Sequence, residues 1–161
     1  MEKKKIIFVC TGNTCRSPMA AAILKNLLNN SEYREQIEVA SAGLVVFGRQ
    51  SATPQAMQAM REMDLDISDH VSTQLTKKMI QEADLILTMT QGHKQQVLTL
   101  EPKAEGKIYS LLEFSLEEQS EKIFDISDPF GASIEVYKKT AQQIKTAIES
   151  AFPKIIKKFF G

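Results

Sequence analysis

Residues 10–18, Cys-Thr-Gly-Asn-Thr-Cys-Arg-Ser-Pro, join two segments of different hydrophobic period. Before them, Lys5–Cys10 is a short β-branched and aromatic run, the pattern of a buried strand. After them, Ala20, Ile23, Leu24, Leu27 and Leu28 recur at helical spacing, and Pro18 suits a first turn. A buried strand that feeds a helix through a tight loop is the start of a βα unit, and the rest of the chain continues that alternation. Ile37–Ala42 reads as a strand stopped at Gly43, and Thr53-Pro54 as a cap opening a helix to about Met63. Leu75–Ala83 reads as a helix, Asp84–Thr90 as the site of a third strand, Lys94–Leu100 as a short helix, and Lys107–Leu112 as a fourth strand. A last helix is expected from about Ser133 nearly to the end. Its stripe is Tyr137, Ala141, Ile144, Ile148, Phe152, Ile155 and Phe159, and Pro153 is expected to kink or restart it. The alternation predicts an α/β domain with a parallel sheet, helices on both faces and a site at the carboxyl edge of the strands. A length of 161 residues suits one domain, 1–161.

Composition removes several classes of function. Twenty Lys plus Arg balance twenty Asp plus Glu, so no bulk charge favours nucleic acid or a membrane surface. The early apolar run Ile6–Cys10 is too short for a signal peptide or a membrane span, which makes the cytoplasm the expected compartment. The charged stretches Glu113–Asp128 and Lys138–Gly161 read as solvated faces. Cys10 and Cys15 are the only cysteines, too few for a disulfide framework or a sulfur-bound zinc site. Both lie in one short segment, which points to chemistry rather than stapling.

That segment has the makings of an anion site. Backbone N–H groups of a tight loop point inward, and the following helix N-terminus adds partial positive charge. Gly12 and Asn13 tolerate the positive φ that such a concave turn often needs. Arg16 is placed to hold two phosphate oxygens with its planar fork. The same field favours a thiolate at Cys10, and Ser17 is placed to donate a hydrogen bond to that sulfur. A Walker A loop is the competing phosphate motif, but its Gly-Lys-Ser/Thr is absent. Transfer of a phosphoryl group to sulfur also needs a proton for the leaving group. Asp128, in Ser127-Asp128-Pro129-Phe130-Gly131, is the candidate: Pro129 keeps it extended and Gly131 lets the loop turn. Of the two histidines, His70 is a candidate support for the loop. His93, in a polar stretch beside Lys94, is expected at the surface.

At these residues the chain resembles the low-molecular-weight protein tyrosine phosphatases. The resemblance spans Val9–Pro18, Ser41-Ala42-Gly43, Asp69-His70-Val71-Ser72, Ala83–Met89 and Asp128-Pro129-Phe130-Gly131. It implies a four-stranded parallel sheet with the phosphate-binding loop at the end of the first strand, no metal and no cofactor. It assigns Cys10 as nucleophile, Arg16 as phosphate ligand and Asp128 as general acid and then base. Thr11, Gly12, Asn13, Thr14, Cys15 and Ser17 complete the phosphate loop, with Ser17 supporting the thiolate. Asn13, with Ser41 and His70, is expected to hold the loop in shape. The implied partners are phosphorylated proteins as substrates, with no nucleic acid and no membrane, and the protein is expected to be a monomer.

Within that family the chain is most similar to the bacterial protein arginine phosphatases, which share Thr-Gly-Asn-Thr between the cysteines and Asp-Pro-Phe-Gly in the acid loop. Ala132 departs from that pattern, where a second Gly is common, and is expected only to stiffen the loop. Thr11 should stand at the rim, where its hydroxyl can accept from a guanidinium that an aliphatic residue would leave unpaired. Phe130 can stack on an aromatic ring or on a guanidinium. Tyrosine-directed activity is the alternative. Thiol-linked arsenate reductases of this fold need cysteines after Cys15, and none follow. A non-catalytic binding module would need neither Cys10 nor Asp128. Cys15 is either a resolving thiol that protects an oxidised Cys10 or a packing residue beneath the loop.

Overall fold

The computed structural model describes residues 2–116 and 125–161. Its strands are β1 (Lys4–Cys10), β2 (Ile37–Gly43), β3 (Leu85–Thr88) and β4 (Ile108–Ser110), all parallel and in the order β2-β1-β3-β4. On one side of β1, Lys4 to Cys10 pair with Ile37 to Gly43; on the other, Ile6 to Val9 pair with Leu85 to Thr88. The chain therefore leaves β1 in one direction and returns to its other side. Such a reversal opens a crevice at the carboxyl ends of the strands, where Cys10 lies.

Alternate side chains of β1 enter two cores, as the period of two requires. Ile6, Phe8 and Cys10 pack with α1 (Arg16–Asn29), α2 (Pro54–Arg61) and α6 (Ile134–Phe160). Ile7 and Val9 pack on the opposite face with Ile80 of α3 (Lys77–Glu82) and Val97 of α4 (Gln91–Leu100). Helices cover both faces, in agreement with the alternation. No helix among the described residues is long and apolar enough to cross a membrane.

The departures from expectation at β4, α3 and α4 occur where a cap outranks a hydrophobic pattern. β4 stops at Ser110 rather than Leu112, and Leu111–Ser115 forms a short helix, α5. Ser110 and Glu113 make a reciprocal capping box there, Ser110 Oγ accepting from Glu113 N and Glu113 Oε2 from Ser110 N. The third helix starts at Lys77, because Leu75 N donates to Gly43 O at 2.8 Å and Thr76 caps the turn through Met79 N. α4 starts at Gln91, earlier than expected, with Thr90 as its cap. α6 runs unbroken through Pro153 rather than restarting. Pro153 and Glu149 are both exposed, so water can satisfy the Glu149 carbonyl that proline leaves without a donor. The acidic stretch after Glu113 lies partly outside the described residues.

Candidate active site

Between the end of β1 at Cys10 and the start of α1 at Arg16, the chain curls around a cavity of about 260 Å³. Cys10, Thr11, Gly12, Thr14, Cys15 and Arg16 form its floor and wall, with Val45, Phe47, Gln50, Asp128 and Phe130 around them. α1 opens without a side-chain cap and without an acidic residue in its first turn. The other α-helices among the described residues each begin with a Thr or Ser whose side chain accepts from the first turn. The N–H groups and positive dipole end of α1 are thus left for an anion in the cavity.

Asn13 organises the loop. It is fully buried and holds the left-handed conformation, with φ of 59°. Of the two loop residues that tolerate positive φ, Asn13 alone adopts it, and Gly12 does not. Thr73 N donates to Asn13 Oδ1 at 2.9 Å, which turns Nδ2 toward Ser17 Oγ at 2.7 Å and Ser41 Oγ at 3.0 Å. His70 Nε2 lies 2.7 Å from the Asn13 carbonyl and, facing an acceptor, must donate. Because Ser17 Oγ accepts from Asn13, its own hydrogen is available to Cys10 Sγ, 2.9 Å away. Asn13 N donates to the same sulfur at 3.3 Å. The Cys10 sulfur therefore has two donors aimed at it, an arrangement that suits a thiolate. Gly43 serves this geometry by its lack of a side chain. A Cβ there would lie 2.8 Å from Thr11 O and 2.7 Å from Val46 Cγ2, whereas the glycine lets Leu44 N and Val45 N donate to Cys10 O and Thr11 O.

Arg16 joins this loop to the one bearing Asp128. Only 4% exposed, it donates from NH1 to Ile126 O at 2.8 Å, and its NH2 stands 3.7 Å from Asp128 Oδ2. Ile126 is itself pinned by donation from its N to Met89 O at 2.8 Å. Beyond it the loop opens into solvent: Asp128 is half-exposed and Phe130 is 70% exposed. Phe130 N donates to Asp128 Oδ1 at 3.0 Å, and Gly131 turns the chain with φ of 79°. Ala132 N closes that turn by donating to Pro129 O. The site thus combines a sulfur with two donors, an anion cradle, a buried guanidinium and an accessible carboxylate, the parts needed to move a phosphoryl group onto sulfur and release it to water.

Residues that sequence reading did not place also meet here. His93, expected at the surface, is 5% exposed, and its Nε2 lies 2.9 Å from Thr11 Oγ1. Burial first, and then the Arg16 charge, lowers its pKa to about 4, against the pull of Asp125 and Asp128. The available signal was its position four residues before buried Val97, on one face of α4. Tyr137, read only as a core stripe residue, brings its hydroxyl to 3.2 Å from Cys15 Sγ. Thr53 Oγ1 donates to that hydroxyl at 3.3 Å, which leaves the Tyr137 hydrogen available to the Cys15 sulfur. Burial and the Cys15 contact push the phenol up to about 12. Phe47, 78% exposed, and Val45 sit at the mouth and carried no periodic signal.

The model of the family described as low molecular weight phosphotyrosine protein phosphatase matches residues 5–159. The chain belongs to this family. Among its relatives, a protein-arginine-phosphatase of Bacillus subtilis is 39% identical over 87% of this chain and 89% of its own length. The low molecular weight protein-tyrosine-phosphatase PtpB of Staphylococcus haemolyticus is 40% identical over 87% of this chain and 91% of its own. Among solved structures, the YwlE arginine phosphatase of Geobacillus stearothermophilus superposes with a TM-score of 0.84 at 37% identity, covering 96% of this chain and 94% of that one. This low-molecular-weight phosphatase therefore shares its fold and most of its length with relatives named for two substrates.

Proposed function

We propose that this chain is a cysteine-dependent protein phosphatase that hydrolyses phosphoarginine through a thiophosphate intermediate. The observation that carries this reading is the buried Cys10 sulfur, with donors at 2.9 and 3.3 Å, on the floor of a cavity that also presents Arg16 and the uncapped start of α1. In the first step Cys10 attacks phosphorus in line, the phosphorus–nitrogen bond breaks, and Asp128 gives its proton to the departing guanidine nitrogen. In the second, Asp128 takes a proton from water as that water attacks the thiophosphate, releasing phosphate and the thiolate. Loop N–H groups and Arg16 hold the equatorial oxygens throughout, and Ser17 steadies the sulfur as it leaves. No step calls for a metal or cofactor.

The arginine preference draws support from Thr11, whose side chain is exposed at the cavity rim, and from the similarity to proteins named as arginine phosphatases. A guanidinium brings N–H donors that need acceptors, and a hydroxyl supplies one. An aliphatic side chain in its place leaves them unpaired, at about 1–3 kcal/mol. The test is kcat/KM on matched phosphoarginine and phosphotyrosine peptides. Wild type is expected to favour phosphoarginine, and Thr11→Ile to move the ratio toward phosphotyrosine. A wild type that favours phosphotyrosine supports the second reading, a tyrosine phosphatase, to which the likeness to PtpB and the exposed aromatic Phe47 and Phe130 lend weight.

We also infer a redox role for Cys15, whose thiol is free and lines the same cavity as Cys10. Peroxide would convert the Cys10 thiolate to a sulfenic acid, and attack by Cys15 would form a disulfide with loss of water. If wild type and Cys15→Ser recover activity equally after peroxide and then dithiothreitol, Cys15 is a packing residue.

A further inference from the structure

His93 is a buried titratable group that the mechanism above does not use. It lies in the first turn of α4, where its backbone N–H donates to Thr90 Oγ1 at 3.0 Å. Its Nε2 is 2.9 Å from Thr11 Oγ1, the one hydrogen bond that hydroxyl makes among the described residues. Its Nδ1 is buried and has no hydrogen-bond partner. With its pKa lowered to about 4 by burial and Arg16, the ring is neutral at pH 7 and carries a single proton on one nitrogen. Were that proton on Nδ1, an N–H would be buried without an acceptor. On Nε2 it has one, and only a lone pair is left bare. Orphaned N–H groups are the rarer defect in protein interiors. Nε2–H therefore donates to Thr11 Oγ1.

This bond decides which part of Thr11 an incoming substrate meets. Hydroxyl and methyl share one Cβ, and a single rotamer change exchanges them. An exposed threonine with no tether would offer both. We propose that His93 is a specificity-determining positioning residue: its Nε2–H fixes the Thr11 hydroxyl at the cavity rim, leaving one oxygen lone pair for a substrate N–H and the hydroxyl hydrogen for a phosphoryl oxygen. The proposal rests on the phosphoarginine reading. Phosphoarginine places N–H donors directly beside phosphoryl acceptors and matches both halves of that hydroxyl. Phosphotyrosine offers the same phosphoryl oxygens, but its ring turns an apolar edge toward the lone pair. The discriminating hydroxyl is thus set by a side chain from another element that itself touches no substrate.

Two measurements test this. Nitrogen-15 spectra of the wild-type imidazole are expected to show the proton on Nε2, with that resonance shifted in Thr11→Val; a proton on Nδ1 overturns the proposal. The second is a double-mutant cycle read on the phosphoarginine-to-phosphotyrosine ratio of kcat/KM. His93→Phe keeps a ring but loses the donor, and is expected to lower that ratio about 3- to 10-fold. Thr11→Val lowers it as well, and the double substitution is expected to lower it no further than Thr11→Val alone. His93→Gln, which carries an amide donor to a similar reach, is expected to recover part of the ratio. Equal losses on both substrates in His93→Phe, or effects that multiply in the double variant, overturn the proposal. If His93→Phe does not fold, His93→Gln and the wild-type spectrum decide. Wild-type preference for phosphotyrosine would defeat the substrate reading alone, because the coupling between His93 and Thr11 is read from the cycle whichever substrate is favoured.

Discussion

Residues 10–17 and residues 125–131 face each other across one cavity, the first with Asn13, Arg16 and Ser17 buried and hydrogen-bonded, the second with its side chains largely in solvent. Asn13 and Ser17 are fully buried, and four hydrogen bonds converge on Asn13 from Ser17, Ser41, Thr73 and His70. The acid loop is anchored at its start, through Asp125 to Gln91 N and through Ile126 to Met89 and Arg16. Past Ile126, Asp128 meets Arg16 only at 3.7 Å and from a half-exposed position, a pairing worth about 0–1 kcal/mol. The difference follows the two tasks. Dipoles that stabilise developing charge act best when fixed before the reaction. A carboxyl group that gives a proton to one molecule and takes one from another has to be reachable by both.

The largest effect expected is in the rigid loop. Cys10→Ser should abolish turnover while leaving phosphate binding, measured by calorimetry, within a few-fold, because the hydroxyl fits the loop but is no thiolate. Measurable turnover in that variant would defeat the thiophosphate mechanism. In the exposed loop, Asp128→Asn should lower kcat by about 10²–10⁴ on poor leaving groups. On p-nitrophenyl phosphate the loss should be clearly smaller, since that leaving group needs little protonation. Equal losses on both would show that Asp128 acts by some route other than proton transfer.

Stability separates the loops in the same way. Asn13→Ala strips the buried partners of Ser17, Ser41 and Thr73 and puts alanine at φ of 59°, which should cost about 3–5 kcal/mol by urea denaturation. Phe130→Ala should stay within about 0.5 kcal/mol. His93 stands between the two loops, bonded to Thr11 and facing Arg16, Asp125 and Asp128. Unfolded, it takes up a proton near its ordinary 6.5; folded, only near 4. The unfolded state binds more protons between those values, so stability should fall as pH drops from about 6.5 to about 4 and gain no further loss from this group below that. The full effect is about 3 kcal/mol. His93→Phe should flatten that part of the pH–stability curve, and an unchanged slope would count against a neutral buried ring.

Much of the site was legible because its chemistry is local. Cys10, Arg16 and Ser17 lie within one strand–loop–helix passage, and Asp128 is marked by its own Pro129 and Gly131. The α/β class followed from the change between periods of two and of three to four along the chain. Where reading went astray, the neighbours in sequence misled. His93 sits among Gln91, Lys94, Gln95 and Gln96, and nothing in that stretch signals Thr11, 82 residues away. Gly43 reads as a strand terminator, yet its need arises from the Thr11 carbonyl that lies where a Cβ would go.

The sequence by itself determined the four strands and every described α-helix but α5, which loop carries the sulfur and the guanidinium, and where an acid waits beside a proline. Hydrophobic period, caps and turn residues act over a few positions, and a single chain displays them directly. The tertiary structure alone decided that Asn13 is braced by Ser41, His70 and Thr73, that the Tyr137 hydroxyl meets the Cys15 sulfur, and that His93 grips Thr11. The first depends on how β2 and the segment before α3 settle beside the loop, the other two on how α6 and α4 dock on opposite faces of the sheet, and such docking is set by shape and burial summed over many distant side chains rather than by any short run of residues.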